Sequence, residues 1–192
     1  MTTIVDRIET AIATTGTVVA AVVPALASPS PCPGWTLRDE LNHLVGGMRI
    51  FAAELSGTDA GGEHESDWLG ADAEAAYAAA AALDRAAWRR PGALDGTVRL
   101  GFGVLPAPTA AVVHLTEVVV HGADLAVSTG QERHLDEEQC AWLLATMEEV
   151  GMAAFRRPGM FGAERPCPAD APAHRRLLAY LGRDLLAPAR RA

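Results

Sequence analysis

One segment, AVVHLTEVVVHGADLA (residues 111–126), restricts the fold more than any other. Wound as a helix, Val112, Val113, Leu115, Val118, Val119, Val120 and Leu125 cover it nearly all round, so it has to be buried among other elements. Within it, Glu117 and His121 stand four residues apart and share one face. A carboxylate in such surroundings is costly unless it is paired, and no Lys or Arg lies between Leu100 and Gly130. Compensation must therefore come from elsewhere in the chain. Arg38 or Arg49 could supply it. The alternative is a metal ion shared with His43, which lies in WTLRDELNHLVGG between Leu41, Leu44 and Val45. A histidine in that setting is ordinarily a hydrogen-bonded core group. If it instead faces Glu117 and His121, two imidazoles and a carboxylate form a set open on one side, as a catalytic divalent metal needs.

The rest of the composition fits packed helices. Aliphatic residues and alanine dominate the 192 residues while aromatics make up 5%, which favours an all-α chain over a β-sandwich. The length suits one domain spanning residues 1–192. A formal net charge of −8, from scattered acids, argues against a nucleic-acid surface. No run reaches the roughly 20 uninterrupted apolar residues of a membrane span, and MTTIVDRIET lacks the basic start and apolar core of an export signal. The expected location is cytoplasmic, with no membrane partner. Cys32, Cys140 and Cys167 are odd in number and lack CxxC spacing, so neither a disulfide framework nor a zinc ribbon is expected.

Periodicity predicts helices over Thr3–Ala25, from Thr36 as N-cap to Gly57, over Ala71–Arg90 with Tyr77, Leu83 and Trp88 inward, from Pro106 or Pro108 to Thr129, over Leu135–Phe155, and in HRRLLAYLG. PGALDGTVRLGFGVLPAP reads as two short extended pieces around glycines, lying across one end of the bundle. Its apolar residues Phe102 and Val104 could serve a homodimer contact.

Three stretches also carry a family resemblance. PCPGWTLRDELNHLVGG is similar to the CPGWT-x-R-D-x-x-x-H-L segment of the mycothiol-dependent maleylpyruvate isomerase metal-binding domain, a branch of the DinB-like four-helix-bundle superfamily. LTEVVVHGADLAVSTGQ resembles its E-x-x-x-H-G-x-D-L-A-x-x-x-G-Q stretch, and FGAERPCPADAPAHRRLLAYLGRD resembles the ending of its stand-alone actinobacterial members. The resemblance implies a DinB-like bundle in which His43, Glu117 and His121 are the metal ligands. Zinc is the first candidate for the divalent ion, with nickel, iron or manganese also suited to this donor set. It implies mycothiol as a cosubstrate, activated as thiolate against a small electrophile in an S-transferase or isomerase reaction. A metal hydrolase acting through activated water, and a non-catalytic metal- or ligand-binding protein, remain as alternatives.

Ligating histidines usually donate their second ring N–H to an acceptor; Asp39 and Asp124 are placed to serve, or else to cap and pair. His114 shares the face of Glu117 and His121, where it could be a fourth ligand or a proton donor, and reads rather as a core or rim histidine. Trp35 and Arg38 could border the site, and Trp35 could equally pack as a staple on the following turn. His64, His134 and His174 are expected in solvent. No residue is assigned as general acid or base.

Overall fold

The computed structural model describes residues 2–156 and 160–185. Its helices are α1 (Ile4–Val22), α2 (Leu37–Ser56), α3 (Ala73–Trp88), α4 (Ala107–Thr129), α5 (Glu137–Val150) and α6 (Ala173–Tyr180). Two strands, β1 (Thr97–Leu100) and β2 (Gly103–Pro106), form an antiparallel hairpin between α3 and α4, with Val98 opposite Leu105. The chain is all-α apart from this hairpin, among the described residues. Helix α1 packs on α4 and α3, and α2 packs on α3 and α4, closing a four-helix bundle; α5 and α6 pair beside it.

The helix ends are written locally. Thr3 with Asp6, and Thr36 with Asp39, form reciprocal capping boxes, and Asp72 and Asp136 cap α3 and α5. Gly57 and Gly130 close α2 and α4 at φ of 65° and 67°, a conformation that costs glycine nothing. Helix α4 is the centre of the core. Its Ala110, Ala111, Leu115, Val118, Ala123 and Leu125 are fully buried, with Ile8 and Ile12 of α1, Leu41 and Met48 of α2 and Trp88 of α3.

Two stretches, Ile4–Ala25 and Ala107–Thr129, have the length and apolarity of a membrane span by composition; 78% of the α4 window lies inside the bundle, as a core helix requires.

Three expectations are corrected. Leu83 does not point inward: it is half exposed, and the neighbouring Asp84 takes the buried position on a stripe shared with Tyr77, Ala80, Ala81 and Trp88. The fifth helix stops at Val150, because Gly151 adopts a φ of 79°, and only a short 3-10 turn over Ala153–Phe155 follows. His174 is buried rather than solvated. Its ring is held on both nitrogens, by Glu137 and by Glu132, the latter at 3.0 Å, which fastens the start of α6 to the segment opening α5. His134 is exposed as expected, and so are Phe102 and Val104 at the hairpin tip.

Candidate metal centre

Helices α2 and α4 bring His43, Glu117 and His121 together. Glu117 Oε2 lies 2.8 Å from His43 Nε2 and 3.3 Å from His121 Nε2. Taken as ligand atoms, one from each residue fits within 4.8 Å of the other two. Among the described residues, no arginine holds Glu117. Arg38 pairs with Asp67 at 3.0 Å, and the Arg49 guanidinium lies over the Trp68 ring. Nor is Glu117 sealed in the core, as the apolar character of its helix suggested: 35% of its side chain reaches solvent, so the cluster opens at the surface.

The electrostatics follow from this enclosure on one side. Burial pushes the Glu117 carboxyl up, but hydrogen bonds from His121 and His43 outweigh it and hold the group well below the usual carboxylate range. For His121, burial opposes the charged ring, yet its bonds to Glu117 and Glu40 prevail and push it up to about 10. Burial dominates at His43, which is lowered despite Glu117 and therefore stays neutral near pH 7. A proton on His121 Nε2 faces the carboxylate, in the position where a cation would be welcome.

Around the cluster the walls are aromatic. The Trp35 ring stacks on His121 at 5.7 Å and 20°, and approaches His43 at 5.0 Å. Its place is set by the loop before α2, where Trp35 donates to Cys32 O and accepts from Ser30 N, with Gly34 at a φ of 84° turning the chain. Trp35 thus borders the site. Arg38 does not, being engaged outside with Asp67. His64, on the exposed loop after α2, sets its ring edge-on to His43 at 4.7 Å, nearer the cluster than its polar surroundings suggested.

The supporting acceptors differ from the expected ones. Asp39 does not reach a histidine: its carboxylate accepts from the Thr36 hydroxyl and amide at 2.6 and 2.9 Å, completing the α2 cap. Asp124 stands 3.8 Å from His121 Nδ1, beyond hydrogen-bond range, and is bound by Arg183. The group that holds His121 Nδ1 is Glu40, at 2.8 Å, fully buried and in turn accepting from the Ser30 hydroxyl at 2.7 Å. Sequence reasoning missed it, although a signal was present: Glu40 is an acid on the stripe of Leu37, Leu41, Leu44 and Val45, where an unpaired charge would not be tolerated. A second acidic grouping, Glu40, His121 and Asp124, is close enough to ligate an ion, but Arg183 already neutralises Asp124 there. His114 is apart from the centre. It is a core histidine, bonded to the buried Asp84 at 2.6 Å and packed between Phe51 and Trp88.

A four-helix bundle with two imidazoles and a carboxylate converging at an open edge is the DinB-like type of protein. The chain belongs to the mycothiol maleylpyruvate isomerase N-terminal domain family, matched over residues 8–126, a span that includes His43, Glu117 and His121. Uncharacterized proteins from two strains of Mycobacterium tuberculosis are 35% identical to it over 161 residues, covering 83% of this chain and 86% of theirs. No solved structure matches it significantly.

Proposed function

We propose that His43, Glu117 and His121 hold one divalent metal ion, zinc in the first instance, and that the protein uses it to activate a low-molecular-weight thiol of the mycothiol type. The observation that carries this reading is the convergence of three donor atoms within 4.8 Å, one of them from a carboxylate that no arginine among the described residues neutralises. Two nitrogens and one oxygen leave coordination positions free, and the exposed side of Glu117 is where a small molecule can approach. A divalent ion supplies Lewis acidity there, lowering the pKa of a thiol or water brought to it.

The chain's own residues have plain tasks in this scheme. His43 and His121 present one ring nitrogen each, with His121 kept in register by Glu40. Trp35 covers the two imidazoles, excluding water from one side and leaving the other to the substrate. The family name favours mycothiol as the thiol and a small electrophile as its target. A cytoplasmic location belongs to the same reading and accords with three free cysteines.

Elemental analysis of protein purified without chelators tests the metal: one ion per chain is expected, and its loss in Glu117→Ala. A wild-type protein that takes up no divalent ion refutes the reading. Consumption of an electrophile that requires added mycothiol and vanishes in His43→Ala supports the thiol chemistry. Ester or amide turnover without thiol would replace it by hydrolysis, and tight ligand binding without turnover by a binding role.

A further inference from the structure

Behind the three candidate ligands lies a second, buried layer: Glu40, Asp124 and Arg183 are each at most 3% exposed. Resting on the metal-site reading above, we propose that Glu40 and Arg183 are positioning residues for His121, Arg183 reaching the centre from outside the family's matched span.

His121 Nδ1 has two carboxylates near it and one hydrogen to give. Glu40 Oε1 is at 2.8 Å and Asp124 Oδ2 at 3.8 Å. An ionised carboxylate only accepts, so the bond to Glu40 fixes the hydrogen on Nδ1 and leaves the Nε2 lone pair for the open side. What decides between the two acids is Arg183. Its Nε and Nη2 both donate to Asp124 Oδ2, at 3.1 and 3.0 Å, the very oxygen that faces His121. The guanidinium holds Asp124 away, and Glu40 takes the imidazole alone. Ser30 then fixes the other oxygen of Glu40.

The division of partners points the same way. The guanidinium rests on Asp124 and the Glu40 carboxyl is left to His121 Nδ1, and such an acceptor strengthens a ligating imidazole as a donor to a cation. Arg183 stands 59 residues beyond Asp124, just after α6, and the family match ends at residue 126. The C-terminal segment is therefore part of the centre's support, anchored by the His174 clasp to Glu132 and Glu137.

The test measures zinc affinity against a competing chromophoric chelator, with the absorption spectrum of the cobalt-substituted protein as a second readout. Glu40→Ala is expected to weaken zinc about 10- to 100-fold, the usual effect of losing a ligand's acceptor. Glu40→Gln, nearly isosteric and still offering an oxygen to Nδ1–H, is expected to recover much of that loss. Arg183→Gln, which frees Asp124 to compete for the imidazole, is expected to weaken zinc and shift the cobalt bands. Circular dichroism of the Gln variants establishes that the fold persists. If wild-type protein binds zinc and the folded Glu40→Gln, Glu40→Ala and Arg183→Gln proteins bind it equally with unchanged cobalt bands, the positioning role is overturned while the metal site stands. If the wild type binds neither ion, the metal reading falls and takes this inference with it.

Discussion

Gly122, next to His121 on α4, offers a quantitative test of how closely α4 approaches α1. A Cβ built on it would lie 2.2 Å from Thr15 Oγ1, 3.3 Å from Thr15 Cβ and 3.4 Å from Thr15 Cγ2. The hydroxyl would have to retreat by about 1 Å to reach an ordinary contact. Rotating Thr15 does not simply relieve this, since Cγ2 is already close and the hydroxyl donates to Val118 O at 3.4 Å. Overpacking of this kind costs about 1–3 kcal/mol, and alanine's better helix propensity offsets about 1 kcal/mol of it. Gly122→Ala should therefore lose up to about 2 kcal/mol, lowering Tm by up to roughly 8 °C in a protein of this size. In a Thr15→Ala background the short contact is gone and only the propensity gain remains, so the same substitution should become neutral or stabilising by up to about 1 kcal/mol. Thermal melts of the four proteins in the cycle, metal-free, measure both numbers. An equal effect of Gly122→Ala in the two backgrounds would refute the packing argument.

The buried pair of Asp84 and His114 should be far more sensitive to losing one member than both. Asp84→Ala is expected to cost about 3–5 kcal/mol in urea unfolding, and joint replacement of both by leucine much less; similar losses would contradict the pairing. The His121 imidazole, pushed up to about 10, binds a proton that an incoming cation must displace. Zinc uptake at pH 7 should release about one proton and tighten by up to tenfold per pH unit toward 10, as read by calorimetry in buffers of different ionisation enthalpy. By the same linkage, His121 stabilises the metal-free protein fully below about 6.5, and that contribution fades as pH rises toward about 10. Gly46→Ala would drive a Cβ to 2.4 Å from Trp68 Nε1, displacing the indole from α2. Limited proteolysis should then cut the 57–72 loop faster than in the wild type, and an unchanged rate would count against this contact.

The helical frame was legible because its signals are local. Thr36 with Asp39, Gly57, Gly130 and Asp136 act within one turn of where they stand. The face of α3 was harder, since between Tyr77 and Trp88 its buried stripe consists largely of alanines and the one branched aliphatic candidate, Leu83, faces out. Asp84 carries no local sign of burial, because its partner, His114, is 30 residues away on another helix. The same limit governs the candidate site. His43, Glu117 and His121 were legible from an i,i+4 pair and a motif, while Arg183 has no local signature that ties it to Asp124. Glu40 could have been found by asking which charge interrupts an apolar stripe, a question that spacing of ligands alone does not raise.

Helix α4 shows where in such a core chemistry can reside. Its ionisable residues His114, Glu117, His121 and Asp124 follow steps of three, four and three, so they make one seam along a helix that is otherwise mostly apolar. Each is met by a different element: Asp84 from α3, His43 and Glu40 from α2, Arg183 from the segment after α6. Turning or sliding α4 by one residue would orphan every partner at once, so the seam fixes the register of the bundle. Its ends are buried, and each sets one acid against one base. Its middle is not: Glu117 and Glu40 share a single tightly bound imidazole between them, His43 stays neutral, and a third of the Glu117 side chain meets solvent. Excess negative charge beside an open edge is what a cation can satisfy and a water molecule cannot, and that asymmetry separates the centre of the seam from the purely structural pairs above and below it.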